Sequence, residues 1–145
     1  MGEKELRRLR SEGVIEKVEP DMETARQELD GARRHLVSAT LIAAEDPAAA
    51  FAVGYDAMRK AVSAHLRNGG YRVTKGTGHH HRTGQYAMAA LDHLDVAENI
   101  EAFDDLRQLR NQSEYDALMV GPAEVAEILS HAYALVAAIS DDLGM

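Results

Sequence analysis

A guanidinium, a carboxamide, a carboxylate and a phenol stand close together at Arg110-Asn111 and Glu114-Tyr115, with a second guanidinium at Arg107. Arginine beside asparagine can hold a phosphate or carboxylate through paired hydrogen bonds, while a glutamate and a tyrosine can exchange protons. A three/four spacing runs through Phe103, Leu106, Arg110, Ser113, Ala117 and Val120. It predicts a helix whose stripe opens and closes apolar but carries Arg110 and Ser113 in its middle. A buried guanidinium needs partners. Arg110 therefore either pairs with Asp105, Glu114 or an acid on another helix, or it faces a polar cleft. The spacing leaves both open.

The elements that must position these groups read as helices. Alanine and leucine dominate a chain of 145 residues that is 46% hydrophobic but only 5% aromatic, with no tryptophan. That composition favours helix over sheet, and the length suits one domain. Glu3 to Ser11 reads as a short helix closed by Gly13. Asp21 reads as the N-cap of a helix reaching about Glu45, with the seam Ala25, Leu29, Ala32, Leu36, Ala39 and Ala43. Asp46-Pro47 opens a second helix that buries Phe51, Tyr55, Met58, Val62 and Leu66 and stops at Asn68-Gly69-Gly70. The Gly- and Thr-rich stretch Tyr71 to Gly78 reads as a loop. A third helix is expected from the histidines to about Leu94, then the Arg110 helix, ended by Gly121-Pro122, and a last helix to about Asp142. No strand and no internal repeat is expected. The fold class is all-α, an antiparallel bundle of four or five helices over residues 21–145, preceded by an N-terminal helix or arm over residues 1–20.

Charge is distributed unevenly. The net charge is −8, yet Ala57 to Leu91 holds no Asp or Glu while it holds Arg59, Lys60, Arg67, Arg72, Lys75 and Arg82. Ten Lys and Arg face all 24 acids elsewhere, a balance of −14 outside the window. A basic surface on an acidic body suits a phosphate-bearing partner, with Arg72, Lys75 and Arg82 as candidate nucleic-acid contacts, or an acidic patch on a second subunit.

Other chemistry is less well supported. His79-His80-His81 are successive helix positions about 100° apart, so they cannot close on one ion without help from His65, His93 or His131. Glu127 and His131 share a helix face, but no second Glu-x-x-His pair accompanies them. Lys75-Gly76-Thr77-Gly78 lacks the spacing and the strand of a phosphate-binding P-loop. No metal and no cofactor is expected. The absence of cysteine excludes thiolate chemistry and disulfides. No apolar run approaches membrane-spanning length, and the charged start MGEKELRRLRSEG lacks a secretory signal core, so a cytoplasmic location is expected.

The segment Leu106-Arg107-Gln108-Leu109-Arg110-Asn111-Gln112-Ser113-Glu114-Tyr115 resembles a HEPN domain (higher eukaryotes and prokaryotes nucleotide-binding). The family signature is Arg, a polar residue that is often Asn, a few variable positions, then His. Arg110-Asn111 matches its first half. The wider Arg-x-x-Arg-Asn-x-x-Glu-Tyr pattern is similar to a bacterial branch in which Glu-Tyr takes the later part. A looser likeness extends over residues 21–143, including the alanine-rich approach to Tyr55-Asp56-Ala57.

The resemblance implies a helical bundle, commonly dimeric, and an RNA-binding or RNA-processing role such as that of a toxin or defence component. In active members a 2′-hydroxyl attacks the adjacent phosphate while His moves protons and Arg stabilises charge. Here Tyr115 stands at the histidine-like spacing, so Arg110, Asn111, Glu114 and Tyr115 are the candidate catalytic set and Arg107 a further phosphate contact. A phenol of ordinary pKa about 10 is a poor base at neutral pH, which leaves Glu114 as base and Tyr115 as acid. Glu114 can instead pair with Arg110 along the helix. The resemblance also implies a possible partner, a nucleotidyltransferase-type antitoxin that modifies a tyrosine near the motif, here Tyr115. A non-catalytic interaction module is the alternative.

Overall fold

The computed structural model describes residues 2–74, 79–103, 105 and 121–145. The helix expected around Arg110, with Arg107, Asn111, Glu114 and Tyr115, lies outside the described residues, as do Lys75 and the side chains of His79, His80 and His81. What is described is mostly helical, as the alanine- and leucine-rich composition requires.

The chain opens with α1 (Gly2–Ser11) and a short strand β1 (Ile15–Lys17). Asp21 then caps α2 (Met22–Ile42), its carboxylate accepting from the Thr24 backbone N–H at 3.0 Å and the Thr24 hydroxyl at 2.7 Å. These bonds hold the Asp21 carboxyl below its ordinary pKa. Asp46 caps α3 (Pro47–Gly69) in the same way, accepting from the Ala49 N–H at 3.1 Å, with Pro47 in the first turn. The helix ends on Gly70 in the left-handed region at φ 78°. Next come β2 (Tyr71–Val73), α4 (His79–Ala90), a 3₁₀ turn (Asp92–Leu94), α5 (helical over 97–103) and α6 (Pro122–Leu143).

Burial follows the expected stripes. Ala25, Leu29, Ala32, Leu36 and Ala39 are buried along α2, so the seam is real; α2 stops three residues before Glu45. The most deeply embedded helix is α3, which packs against α2 on one side and α6 on the other. Its Gly54 lets α6 approach closely, since a Cβ there would lie 3.1 Å from a Leu129 methyl. Phe103 is buried and stacks on Tyr55 at 5.3 Å with nearly parallel rings, which ties α5 to the middle of α3.

Three expectations need correction. Tyr71 to Val73 is not loop but a strand, antiparallel to β1 in the register Ile15↔Val73, Glu16↔Arg72 and Lys17↔Tyr71. Ile15 and Val73 are both buried, so the ladder covers the bundle with one apolar pair while Arg72 and Glu16 face out. The third helix stops at Ala90; the 3₁₀ turn and Asp95 at φ 54° then redirect the chain. Finally, α6 is by length and composition apolar enough to cross a membrane, with a window of mean hydropathy 1.3. Here its Val125, Ile128, Leu129, Ala132, Leu135, Val136 and Ile139 are buried in the bundle core.

The first residues are part of this packing. Leu9 is fully buried, α1 rests on α4, and the ladder ties β1 to the chain beyond α3.

Candidate functional site

Three cations of the acid-free window, Arg59, Arg67 and Arg72, line one cleft. Arg59, Ser63, Leu66 and Arg67 fall on one face of α3 because residues four and seven apart share a helix side. The left-handed turn at Gly70 then carries Tyr71, Arg72 and Val73 round to meet that face. The segment ahead of α2 closes the other side. The Val18 N–H donates to the Gly70 carbonyl at 2.8 Å, and the Asp21 N–H to the Arg67 carbonyl at 2.9 Å. Between them lies a cleft of about 480 Å³, walled also by Glu19, Asp21, Glu28 and Thr83. That volume is in the range of small-ligand pockets.

Its three arginines differ in how firmly they are held. Arg72 is committed to Glu16 across the strand pair, at 2.7 Å from Nε and 2.6 Å from Nη2. Arg59 reaches Asp56 only at 3.6 Å, and Arg67 reaches Glu28 Oε1 at 3.4 Å with its side chain about half exposed. Such long, solvated pairs contribute little to stability and re-form easily. A ligand anion can therefore recruit Arg59 and Arg67 without dismantling the fold.

Glu28 stands out on this wall. Its Oε2 is buried and lacks a hydrogen-bond partner, the only such side-chain oxygen or nitrogen among the described residues. Leaving a buried acceptor unpaired costs about 1–3 kcal/mol. No pattern in the sequence singles out Glu28, because it flanks the Ala25–Leu29 seam at an ordinary polar position of α2.

Of the nucleic-acid contacts expected from the sequence, Arg72 lines this cleft. Arg82 is engaged beside it, donating to the Thr74 hydroxyl at 2.7 Å and carbonyl at 3.3 Å, so it braces the end of β2.

A second polar cluster was not expected. His65 of α3 contacts the Tyr86 hydroxyl of α4 through Nδ1 at 2.8 Å and Asp142 Oδ2 of α6 through Nε2 at 2.9 Å. His93 contacts the other oxygen of Asp142 at 2.8 Å. With Asp142 ionised, His65 carries its proton on Nε2 and accepts from Tyr86 on Nδ1. Burial lowers the His65 pKa, partly offset by Asp142; burial raises that of Tyr86, helped by Tyr71 and Asp142. Burial would raise the Asp142 pKa, but the bonds from His93 and His65 outweigh it and lower the value. The hydroxyl–imidazole–carboxylate order looks like an activated nucleophile. However, Tyr86 is only 1% exposed and its phenol is held protonated, so the chain binds helices together.

The remaining described histidine of interest, His131, pairs through Nδ1 with Asn99 Oδ1 at 2.9 Å. Among the described residues, no three His, Asp or Glu side chains are placed to share a metal ion. No family model matches this chain, and no curated protein or solved structure matches it either.

Proposed function

We propose that this chain is a cytoplasmic RNA-binding or RNA-processing protein of the HEPN type, acting as a homodimer in a toxin or defence system. The carrying observation is the sequence from Leu106 to Tyr115, set in a chain whose described residues form a mostly helical bundle. Arg59 and Arg67, loosely paired in a cleft that also holds Glu19, Asp21 and Glu28, offer guanidinium groups to a phosphate.

In this reading Arg110, Asn111 and Arg107 grip a backbone phosphate. Glu114 takes the proton of the neighbouring 2′-hydroxyl as its oxygen bonds to phosphorus. The bond from phosphorus to the 5′ oxygen of the next nucleotide breaks, and Tyr115 protonates that leaving oxygen. The products are a 2′,3′-cyclic phosphate and a 5′-hydroxyl. The test is single-stranded RNA incubated with the protein in EDTA. Cyclic-phosphate ends that vanish in Arg110→Ala, with helical content unchanged, are the expected result. Absence of both cleavage and binding at low salt refutes the proposal.

One observation favours the alternative of a non-catalytic module. Val37 and Leu41 of α2 and Tyr133 of α6 are exposed, and Val37 and Tyr133 line a groove suited to a partner protein such as a nucleotidyltransferase-type antitoxin. An adenylyl mass increment on Tyr115 after co-expression with the neighbouring gene product distinguishes this reading.

A further inference from the structure

We infer that the cleft between α2, α3 and β2 is a base pocket, selective for guanine carrying a phosphate. The inference rests on the RNA reading for the polymer to which that base would belong, but the pocket itself is argued from its own walls.

Glu28 supplies the selectivity. A carboxylate only accepts hydrogen bonds, and Oε2 has no donor while Oε1 is held by Arg67 at 3.4 Å. The last torsion of a glutamate is broad, and the half-exposed Arg67 can swing aside, so both oxygens can be presented to a ligand. Two acceptors side by side match two adjacent N–H donors on one edge. Guanine has that edge, in N1–H beside the exocyclic amino group. Adenine and cytosine offer one amino group beside a ring acceptor. Uracil offers one N–H between two carbonyls, which would face the carboxylate with like charge.

The other walls fit the rest of a nucleotide. Leu66 and Tyr71 are apolar surface for a base face, and the Tyr71 ring is steadied by the Tyr86 ring at 6.1 Å. Arg59, weakly engaged by Asp56, is available to a phosphate, while Arg72 stands at the exposed rim held by Glu16. A volume of about 480 Å³ holds one nucleotide.

The experiment is calorimetric titration of the full chain with GMP, AMP, CMP and UMP. GMP is expected to bind about tenfold tighter than the others, the discrimination one bidentate base contact provides. Glu28→Gln, close to isosteric but presenting a donor to guanine, brings GMP down to the level of AMP. Arg59→Ala weakens all four nucleotides alike. Equal binding of all four, binding of none, or a GMP preference that survives Glu28→Gln overturns the inference. So does displacement of GMP by spermidine that Glu28→Gln abolishes while nucleotide binding is kept, since the acid would then be a cation site. RNA cleavage lost in Arg110→Ala without any guanine preference sinks the pocket and leaves the RNA reading intact. GMP selectivity with no RNA binding does the reverse.

Discussion

Asp142 is bound by two histidines from separate stretches of chain, and that single carboxylate gives the protein a legible pH response. His65 is 13% exposed and its pKa lies below the ordinary 6.5, chiefly through burial. A depressed histidine favours the folded state while neutral, so its contribution is complete above about pH 6.5 and is lost as pH falls through the lower folded value. Asp142 is also depressed, here by its histidine partners after burial is overcome, so its contribution fails only below its ordinary 3.8. Thermal unfolding followed by circular dichroism should give a midpoint that is level at pH 7 to 8, declines below about 6.5, and declines again below about 4. His65→Gln should remove most of the first decline and cost about 1 kcal/mol at neutral pH through weaker bonds to Tyr86 and Asp142. An unchanged first decline in that variant would assign it to another group.

At the scale of elements, the junction between α3 and β2 decides whether the cleft exists. Gly70 adopts φ 78°, and a Cβ there would come within 2.9 Å of the Val18 carbonyl and 3.0 Å of Pro20. Both neighbours belong to the segment that walls the cleft, and neither is the loose end of a flexible side chain. Gly70→Ala should therefore destabilise by about 2 kcal/mol or more, combining left-handed strain with backbone displacement. Hydrogen exchange should show the Val18 and Asp21 amides losing protection before the α2–α3 core does; uniform loss would mean the junction is no separate unit. The sequence announces this junction only in part. Asp21, Asp46, Pro47 and Gly70 each mark a helix boundary by local chemistry, as Pro122 marks the start of α6, and each of these boundaries lies where that chemistry puts it. The strands escape such reading because three residues show no alternation, and Ile15 finds Val73 only after α2 and α3 have folded back. The basic window is visible as composition, but the meeting of Arg59, Arg67 and Arg72 depends on that unseen strand. Glu28 and Asp142 are ordinary surface acids until their neighbours from distant helices surround them.

Over the whole molecule, a balance of −14 outside the basic window opposes the binding that the window invites. On the RNA reading, that surplus of acid should confine binding to a few phosphates and so give a shallow dependence on salt. Fluorescence anisotropy of a short single-stranded RNA over a KCl series measures how many phosphates are neutralised, since the logarithm of affinity falls by about 0.7 per phosphate contact per logarithm of salt. Arg59→Ala and Arg67→Ala should each shallow that slope by about 0.7 if each of these loosely paired arginines neutralises one phosphate. Arg82→Ala should leave the slope nearly unchanged, because its guanidinium is already bound to Thr74, and should instead lower thermal stability by loosening the end of β2. The three substitutions remove the same charge from the same acid-free stretch. A slope that changes equally in all of them would mean that only net charge matters and that the cleft confers no placement on the strand.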